Sequence, residues 1–324
     1  MKKTFISILA AGCLTACGNA PQPEAQTADS TAVEIEQPTD SAEAETTETA
    51  EEDDEPTGID FETGVLKVNG VRYEFAKVEA GTFIMGDDSI DEFTGRKNLA
   101  HQVTLTKDYY IGKTEVTCGL WKAVMGSYPD DFKSGVDPDN GLPFLGTTPT
   151  PDNLPVIKAT FEDCQLFIST LNATFGECAN FRLPTEAEWE FAARGGNKSK
   201  HYKYSGSNTL GDVAWYEGNC EDGENFVGGV HKVATKKPNE LGIYDMCGNV
   251  EEWCNDIYAE FDSKPQTDPQ GPEDGDEYDR VFRGGCAVWR ESYCRVTSRS
   301  AASDVQEGNG GHGFRIAFTP WKGH

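Results

Sequence analysis

The chain has 324 residues, with 28 Lys and Arg against 55 Asp and Glu, for a formal net charge of −27. That excess of carboxylate argues against nucleic acid and against anionic lipid surfaces as electrostatic partners, and makes divalent cations the natural company. Aromatic residues form 10% of the chain, enough for a sizeable core, so the acidity is carried by a protein with a folded part.

Lys2 and Lys3 precede an apolar run from Phe5 to Leu14, closed by Leu14-Thr15-Ala16-Cys17. The run is too short to span a bilayer and has the pattern of a bacterial lipoprotein signal, residues 1–17, cut before Cys17 with lipidation of its thiol. A bacterial membrane is therefore the expected partner of Cys17, and Gly18 is compatible with the outer membrane. Residues 18–60 hold 14 acidic residues and no Lys, Arg or Trp. Such a segment cannot bury enough apolar surface to offset its ordering entropy and reads as a disordered acidic tether. Residues 61–324 contain no second linker and no fixed-period repeat, so one globular unit is expected.

Within that unit, Val65–Val78 alternates apolar and polar residues around Asn69-Gly70, the signature of a type I′ hairpin. Phe83 and Met85 mark a further strand, and His101–Ile111 reads as one more. Thr117 caps a short helix carrying Leu120, Trp121, Val124 and Met125, stopped by Gly126. Ser127–Pro155 is rich in Pro, Gly and Asp and reads as a long loop. A second helix starts at Thr160 with Asp163 three residues on, and carries Phe161, Cys164, Ile168 and Leu171 on one face. In Arg182–Gly196, Thr185 and Glu188 form a capping box ahead of Trp189, and Gly195-Gly196 ends the helix. Glu186, Glu188 and Glu190 there read as cap and solvated face. Between Lys198 and Glu240 periodicity disappears, with Trp215 and Tyr216 as isolated anchors.

Gly242–Trp253, GIYDMCGNVEEW, packs ligand and turn chemistry together. Asp245 and Glu252 supply carboxylates, and Gly248 lets the backbone turn sharply enough to aim carbonyls at one point, the make-up of an oxygen site for a hard cation such as calcium. A tight turn between strands, with Asp245 and Asn249 capping backbone groups, accounts for the same residues. Eight cysteines follow the signal: Cys118, Cys164, Cys178, Cys220, Cys247, Cys254, Cys286 and Cys294. In an exported chain an even count permits disulfides without dictating pairs, and Cys118 with Cys164 reads as either a bridge or two buried thiols.

Five segments in order, TEVTCGLWKAVMG, RLPTEAEWEFAARGG, NELGIYDMCGNVEEW, RVFRGGCAVWRESYCR and GFRIAF, resemble the formylglycine-generating enzyme (sulfatase-modifying factor) family across essentially all of Glu79–Phe318. The resemblance implies a single α+β domain of C-type-lectin-like type, poor in regular secondary structure and stabilised by calcium. It assigns the calcium to side-chain oxygens of Asp245 and Glu252 and carbonyls of Gly248 and Val250, with a second site near Ala214–Asn225 poorly matched. Arg295, Arg299 and Arg315 resemble the family's buried structural arginines.

The family's enzymes oxidise a sulfatase cysteine to formylglycine with oxygen and a copper(I) ion held by two cysteines. Cys294 matches the second, and Trp289 stands at the first. An indole has one N–H donor and no thiolate, so it cannot hold copper. Cys286 replaces the usual serine after the Gly-Gly pair, and Glu251 the first Trp of the usual G-N-x-W-E-W run. The expectation is therefore a lipid-anchored, calcium-stabilised module that lacks copper chemistry, with an envelope protein or a glycan as partner and Cys294 disulfide-bonded to Cys254. Alternatives are an active oxidase using Cys294 with Cys286, and lectin-like carbohydrate binding through Tyr202, Tyr204 and Trp215.

Overall fold

The computed structural model describes residues 57–90, 95–127, 152–220, 230–275, 279–302 and 311–320, all within the unit Glu51–His324. The expected signal with Cys17, nearly all of the expected tether and most of the Ser127–Pro155 loop lie outside the described residues. Strand β1 (Gly58–Asp60) begins three residues inside the stretch expected as tether, because it pairs antiparallel with β2 (Val65–Val68).

Strand β2 turns into β3 (Val71–Val78) through Asn69 (φ 48°) and Gly70 (φ 80°), the two left-handed residues that a type I′ turn requires. The chain continues through β4 (Gly81–Met85), the short pair β5 (Ser89–Ile90) and β6 (Lys97–Asn98), then β7 (His101–Leu105) and β8 (Tyr109–Gly112). The single strand expected over His101–Ile111 is thus two. Asp108 interrupts it by accepting the Ala80 amide at 2.9 Å, and β7 pairs with β4 while β8 crosses to β3.

Helix α1 (Cys118–Met125) is capped by Thr117, whose hydroxyl accepts the Leu120 amide at 3.2 Å, and ends at left-handed Gly126. Helix α2 (Phe161–Phe175) carries the Thr160–Asp163 capping box and buries Cys164, Phe167, Ile168, Leu171 and Phe175. Strand β9 (Ala179–Arg182) leads into α3 (Glu186–Ala193), whose Thr185–Glu188 box is also formed. After the short α4 (Leu210–Val213) come β10 (Glu251–Ile257), β11 (Gln266–Thr267), β12 (Arg280–Arg283), β13 (Arg299–Ala301), β14 (His312–Gly313) and β15 (Ala317–Pro320).

Among the described residues the largest sheet has six strands in the order β1-β2-β3-β8-β15-β9, so the first and last parts of the domain meet side by side. Helices α1 and α2 close one core with it, where Trp121 stacks on Phe167 and both meet Phe314. A second core surrounds Trp189 of α3 and reaches β4, β7 and the sheet β13-β12-β10-β14. Helix α3 is buried on every side, including Glu186, Glu188 and Glu190. Its acids are therefore not the solvated face that local sequence suggested, and the reason is four arginines. Arg182 grips Glu188 at 2.6 and 2.7 Å, Arg194 holds Glu190, Arg299 takes Glu186 with two bonds of 2.6 Å, and the fully buried Arg283 bonds Glu190. Buried carboxylates persist where such partners meet them.

Candidate functional site

Two clusters converge on the N-terminal end of β10, where Glu252 pairs with Arg283 and the Gly248 amide donates to the Gly284 carbonyl. The first is the turn before it. Gly242, Asp245, Gly248 and Asn249 all have left-handed φ, between 58° and 76°. Gly248 admits no other residue: a Cβ there would lie 2.0 Å from the Trp215 carbonyl oxygen. Asn249 is fully buried and ties the turn together, receiving the His231 amide at 2.9 Å and donating to Glu115 at 3.0 Å and to the His231 carbonyl at 3.2 Å. His231 in turn stacks on Trp215 at 3.7 Å.

The expected calcium ligands occupy this turn unequally. Asp245 Oδ2 accepts the Ala234 amide at 2.6 Å, while Oδ1 has no partner among the described residues. Glu252 has both oxygens engaged: Arg315 donates to them at 2.5 and 2.6 Å, and the Trp189 indole adds a bond of 2.7 Å. Arg315 is spread further over the Gly112 and Tyr244 carbonyls, which fixes β10 against the turn. Gly248 and Val250 follow in the same turn, with Val250 in the core. A carboxylate that the sequence reading did not assign, Glu115, brings a second unpartnered oxygen, Oε2. Burial first, and then the charge of Asp245, push Glu115 well above the usual carboxylate range. Burial likewise raises Asp245 to about 6. Glu115 sits inside the TEVTCG segment, but nothing local marks it, since its partners lie 134 positions away. A cation, or a proton shared between the Asp245 and Glu115 carboxyl groups, would satisfy these two oxygens, whereas Glu252 is open to a cation only if Arg315 lets go. Among the described residues no three His, Cys, Asp or Glu side chains are arranged around a common metal position. The expected second calcium segment reaches Asn225, and residues 221–229 lie outside the described residues.

The second cluster is the segment after β12. Gly284 (φ 93°) and Gly285 (φ 67°) turn the chain back over a 3-10 turn, Glu291–Cys294. A Cβ on Gly285 would stand 2.7 Å from the Tyr293 carbonyl oxygen and 3.1 Å from Cys294 Sγ. Cys294 is buried and its thiol points to the Arg290 carbonyl at 3.7 Å. Burial raises its thiol well above the ordinary range, with Cys247 and Cys286 the next causes. Cys286 is raised too, first by burial and then by Glu251. Thiols held protonated are poor copper ligands. Trp289 and Tyr293 meet edge to face at 4.9 Å, and the hollow they share with Glu251, Phe282 and Arg283 is about 10 Å³, room for roughly one water. Trp289 offers no thiolate, so the residues present do not fit a copper(I) ion held by the family's pair of cysteines.

Glu251 lies 2% exposed where the family motif has a Trp, with Ser300 donating to it at 3.0 Å and His312 Nε2 standing 3.6 Å away without a hydrogen bond. Burial lifts Glu251 to about 8 and lowers His312 to about 4. All eight described cysteines carry free thiols, so Cys254 and Cys294 are not bonded, and Cys118 and Cys164 are two buried thiols. Cys294 has Cys247 and Cys286 as its sulfur neighbours instead. Of the aromatics considered for carbohydrate, Tyr204 is buried. Arg299 and Arg315 are buried as expected, whereas Arg295 is partly exposed beside Asp87.

The profile of the Sulfatase-modifying factor enzyme 1-like domain matches residues 68–320. The chain is 38% identical over 215 residues to "Chaperone protein LppX" of Paenibacillus barcinonensis, covering 59% of this chain and 72% of that protein. It is 33% identical over 240 residues to the formylglycine-generating enzyme of Streptomyces coelicolor, covering 69% of this chain and 68% of that enzyme. Among solved structures, Treponema denticola variable protein 1 superposes with a TM-score of 0.61 at 30% identity, over 78% of this chain and 97% of that one. PvdO from Pseudomonas aeruginosa shares the fold at a TM-score of 0.57 and 23% identity, over 75% of this chain and 93% of that one. A family match over most of the chain, together with these relatives, shows that the chain belongs to the sulfatase-modifying factor (formylglycine-generating enzyme) family.

Proposed function

We propose that this chain is a family member without copper oxidase activity, acting as a binding or assembly module at the bacterial cell envelope. The observation that carries this reading is Trp289: it stands where the resemblance puts a copper thiolate, and its indole offers one N–H donor and no thiolate. Its similarity to a protein named as a chaperone supports a role in the assembly of another protein. Lipidation at Cys17, an outer-membrane anchor and an acidic tether complete the reading from the N-terminal sequence. Calcium at the 245–252 turn belongs to it as well, held by Asp245 Oδ1 and the Gly248 and Val250 carbonyls, with Glu115 facing the same place.

The oxidase alternative retains one supporting observation, the proximity of Cys286 to Cys294. Copper(I) titration of the reduced chain separates the two readings, together with mass spectrometry of a peptide carrying a sulfatase-type cysteine. The expected result is no stoichiometric copper and an unchanged peptide. Conversion of the cysteine to an aldehyde, lost in Cys294→Ala, would overturn the proposal.

A further inference from the structure

Beyond Ile257 the chain leaves β10 and returns as a strap. Strand β11 pairs parallel with β7, and Asp268 then accepts the Thr106 amide at 2.8 Å and the Thr106 hydroxyl. Gly271, at φ 74°, passes so close over β10 that a Cβ would lie 2.9 Å from the Asp256 Cβ. Under this strap is a cavity of about 500 Å³, within the range of small-molecule sites.

The cavity's chemistry is one-sided. Glu186, Asp256, Glu260 and Asp262 line it, Asp262 being paired with Lys264 at 2.8 Å, and among the described residues Arg299 is the one cation that lines it. All three Arg299 nitrogens are engaged, two by Glu186 and one by the Ala259 carbonyl, and its guanidinium lies 3.8 Å from the centre of the Phe261 ring. What remains for a ligand is mostly acceptor. Asp256 is 4% exposed; its Oδ2 accepts the Glu186 amide at 2.9 Å, and among the described residues its Oδ1 has no partner. Met85, Ile257 and Phe261 supply apolar wall beside it.

We infer that this cavity binds an alkylammonium group, with the Asp256 carboxylate as its anionic partner and the aliphatic stem against Ile257, Phe261 and Met85. The cavity shares only Arg299 with the hollow at Trp289, so the inference does not depend on the copper question. The groups facing Asp256 are Glu186 and Glu188 from α3, Arg182 from β9, Arg299 from β13 and Cys254 on its own strand. Burial and the Glu186 charge raise Asp256 to about 7, so an entering cation supplies the compensation that the fold leaves incomplete.

The test is calorimetric titration of the full-length chain with cadaverine, a free amine, and with Nα-acetyl-lysine N-methylamide, a lysine side chain in peptide form. Pentanol and Nα-acetyl-norleucine N-methylamide are the uncharged counterparts. An amine should bind and its uncharged counterpart should not. Binding should be about tenfold weaker at pH 6 than at pH 8, because one unit below its pKa Asp256 is about nine-tenths protonated. Asp256→Asn should weaken it at least tenfold, and Gln270→Trp should obstruct the cavity while leaving Asp256 in place, with circular dichroism confirming both folds. Binding of the peptide form alone would identify a protein lysine as the source; binding of cadaverine would identify a free amine. No binding at millimolar amine, equal binding of the uncharged counterparts, or indifference to both substitutions would overturn the inference.

Discussion

Gly248 shows how a single residue constrains the site. Its left-handed backbone and the Trp215 carbonyl 2.0 Å from any Cβ act together, so Gly248→Ala is expected to cost about 3 kcal/mol or more, read as a lowered urea midpoint. Glu115 poses a different problem, a carboxylate buried beside Asp245 with one oxygen unpartnered. Glu115→Gln keeps an oxygen for Asn249 and removes the repulsion. In calcium-free buffer the variant should therefore melt higher, by about 1–2 kcal/mol of stability. If calcium binds at the turn, added calcium should raise the melting temperature of the parent chain more than that of the variant. A parent indifferent to both calcium and chelator would remove calcium from the account.

At the scale of elements, α3 is held by charge where an ordinary amphipathic helix is held by one apolar stripe. Truncating Arg283 leaves Glu190 and Glu186 buried with fewer partners, so Arg283→Ala is expected to cost about 3–5 kcal/mol in chemical denaturation. Thr185→Ala removes a hydroxyl that accepts the Glu188 amide and should cost about 1 kcal/mol. If the two substitutions cost the same, the arginine cluster is not what holds the helix. The helix boundaries were legible from sequence because caps are local: Thr117, Thr160 and Thr185 all cap as their spacing predicts. The environment of α3 was not, because Arg283 lies 93 positions from Glu190 and no local pattern records that contact.

For the whole molecule, the surplus of acid has a pH signature. Asp256 is raised from its ordinary 3.8 to about 7, by burial first and then by Glu186. A raised folded-state pKa gives stability that is complete below about pH 4 and is lost as the pH climbs through 7. Glu251, raised to about 8, acts in the same direction. His312, lowered from 6.5 to about 4, opposes it as the pH falls below about 6.5, and the exposed Asp60 and Asp108, shifted downward by hydrogen bonds, oppose it only in stronger acid. The domain should accordingly resist urea better at pH 5 than at pH 8, and Asp256→Asn should shrink the difference by roughly 1–3 kcal/mol. An unchanged difference in that variant would show that Asp256 is not the titrating group.

Sequence alone determined what depends on neighbours along the chain. The Asn69-Gly70 hairpin, the three caps and the glycine-bearing turn before β10 follow from backbone preferences within a few residues. That Trp289 stands where the resemblance puts a thiolate was equally legible, since it needs only the identity of one residue set against the family's motif. Tertiary structure alone decided how the buried charges pair. It gave Glu252 to Arg315, set Glu115 beside Asp245, left Cys254 and Cys294 as separate thiols and stretched a strap over Asp256. The physical reason is that a buried charge or thiol is defined by the groups that exclude water from it, and here those groups come from strands and helices tens to hundreds of residues apart.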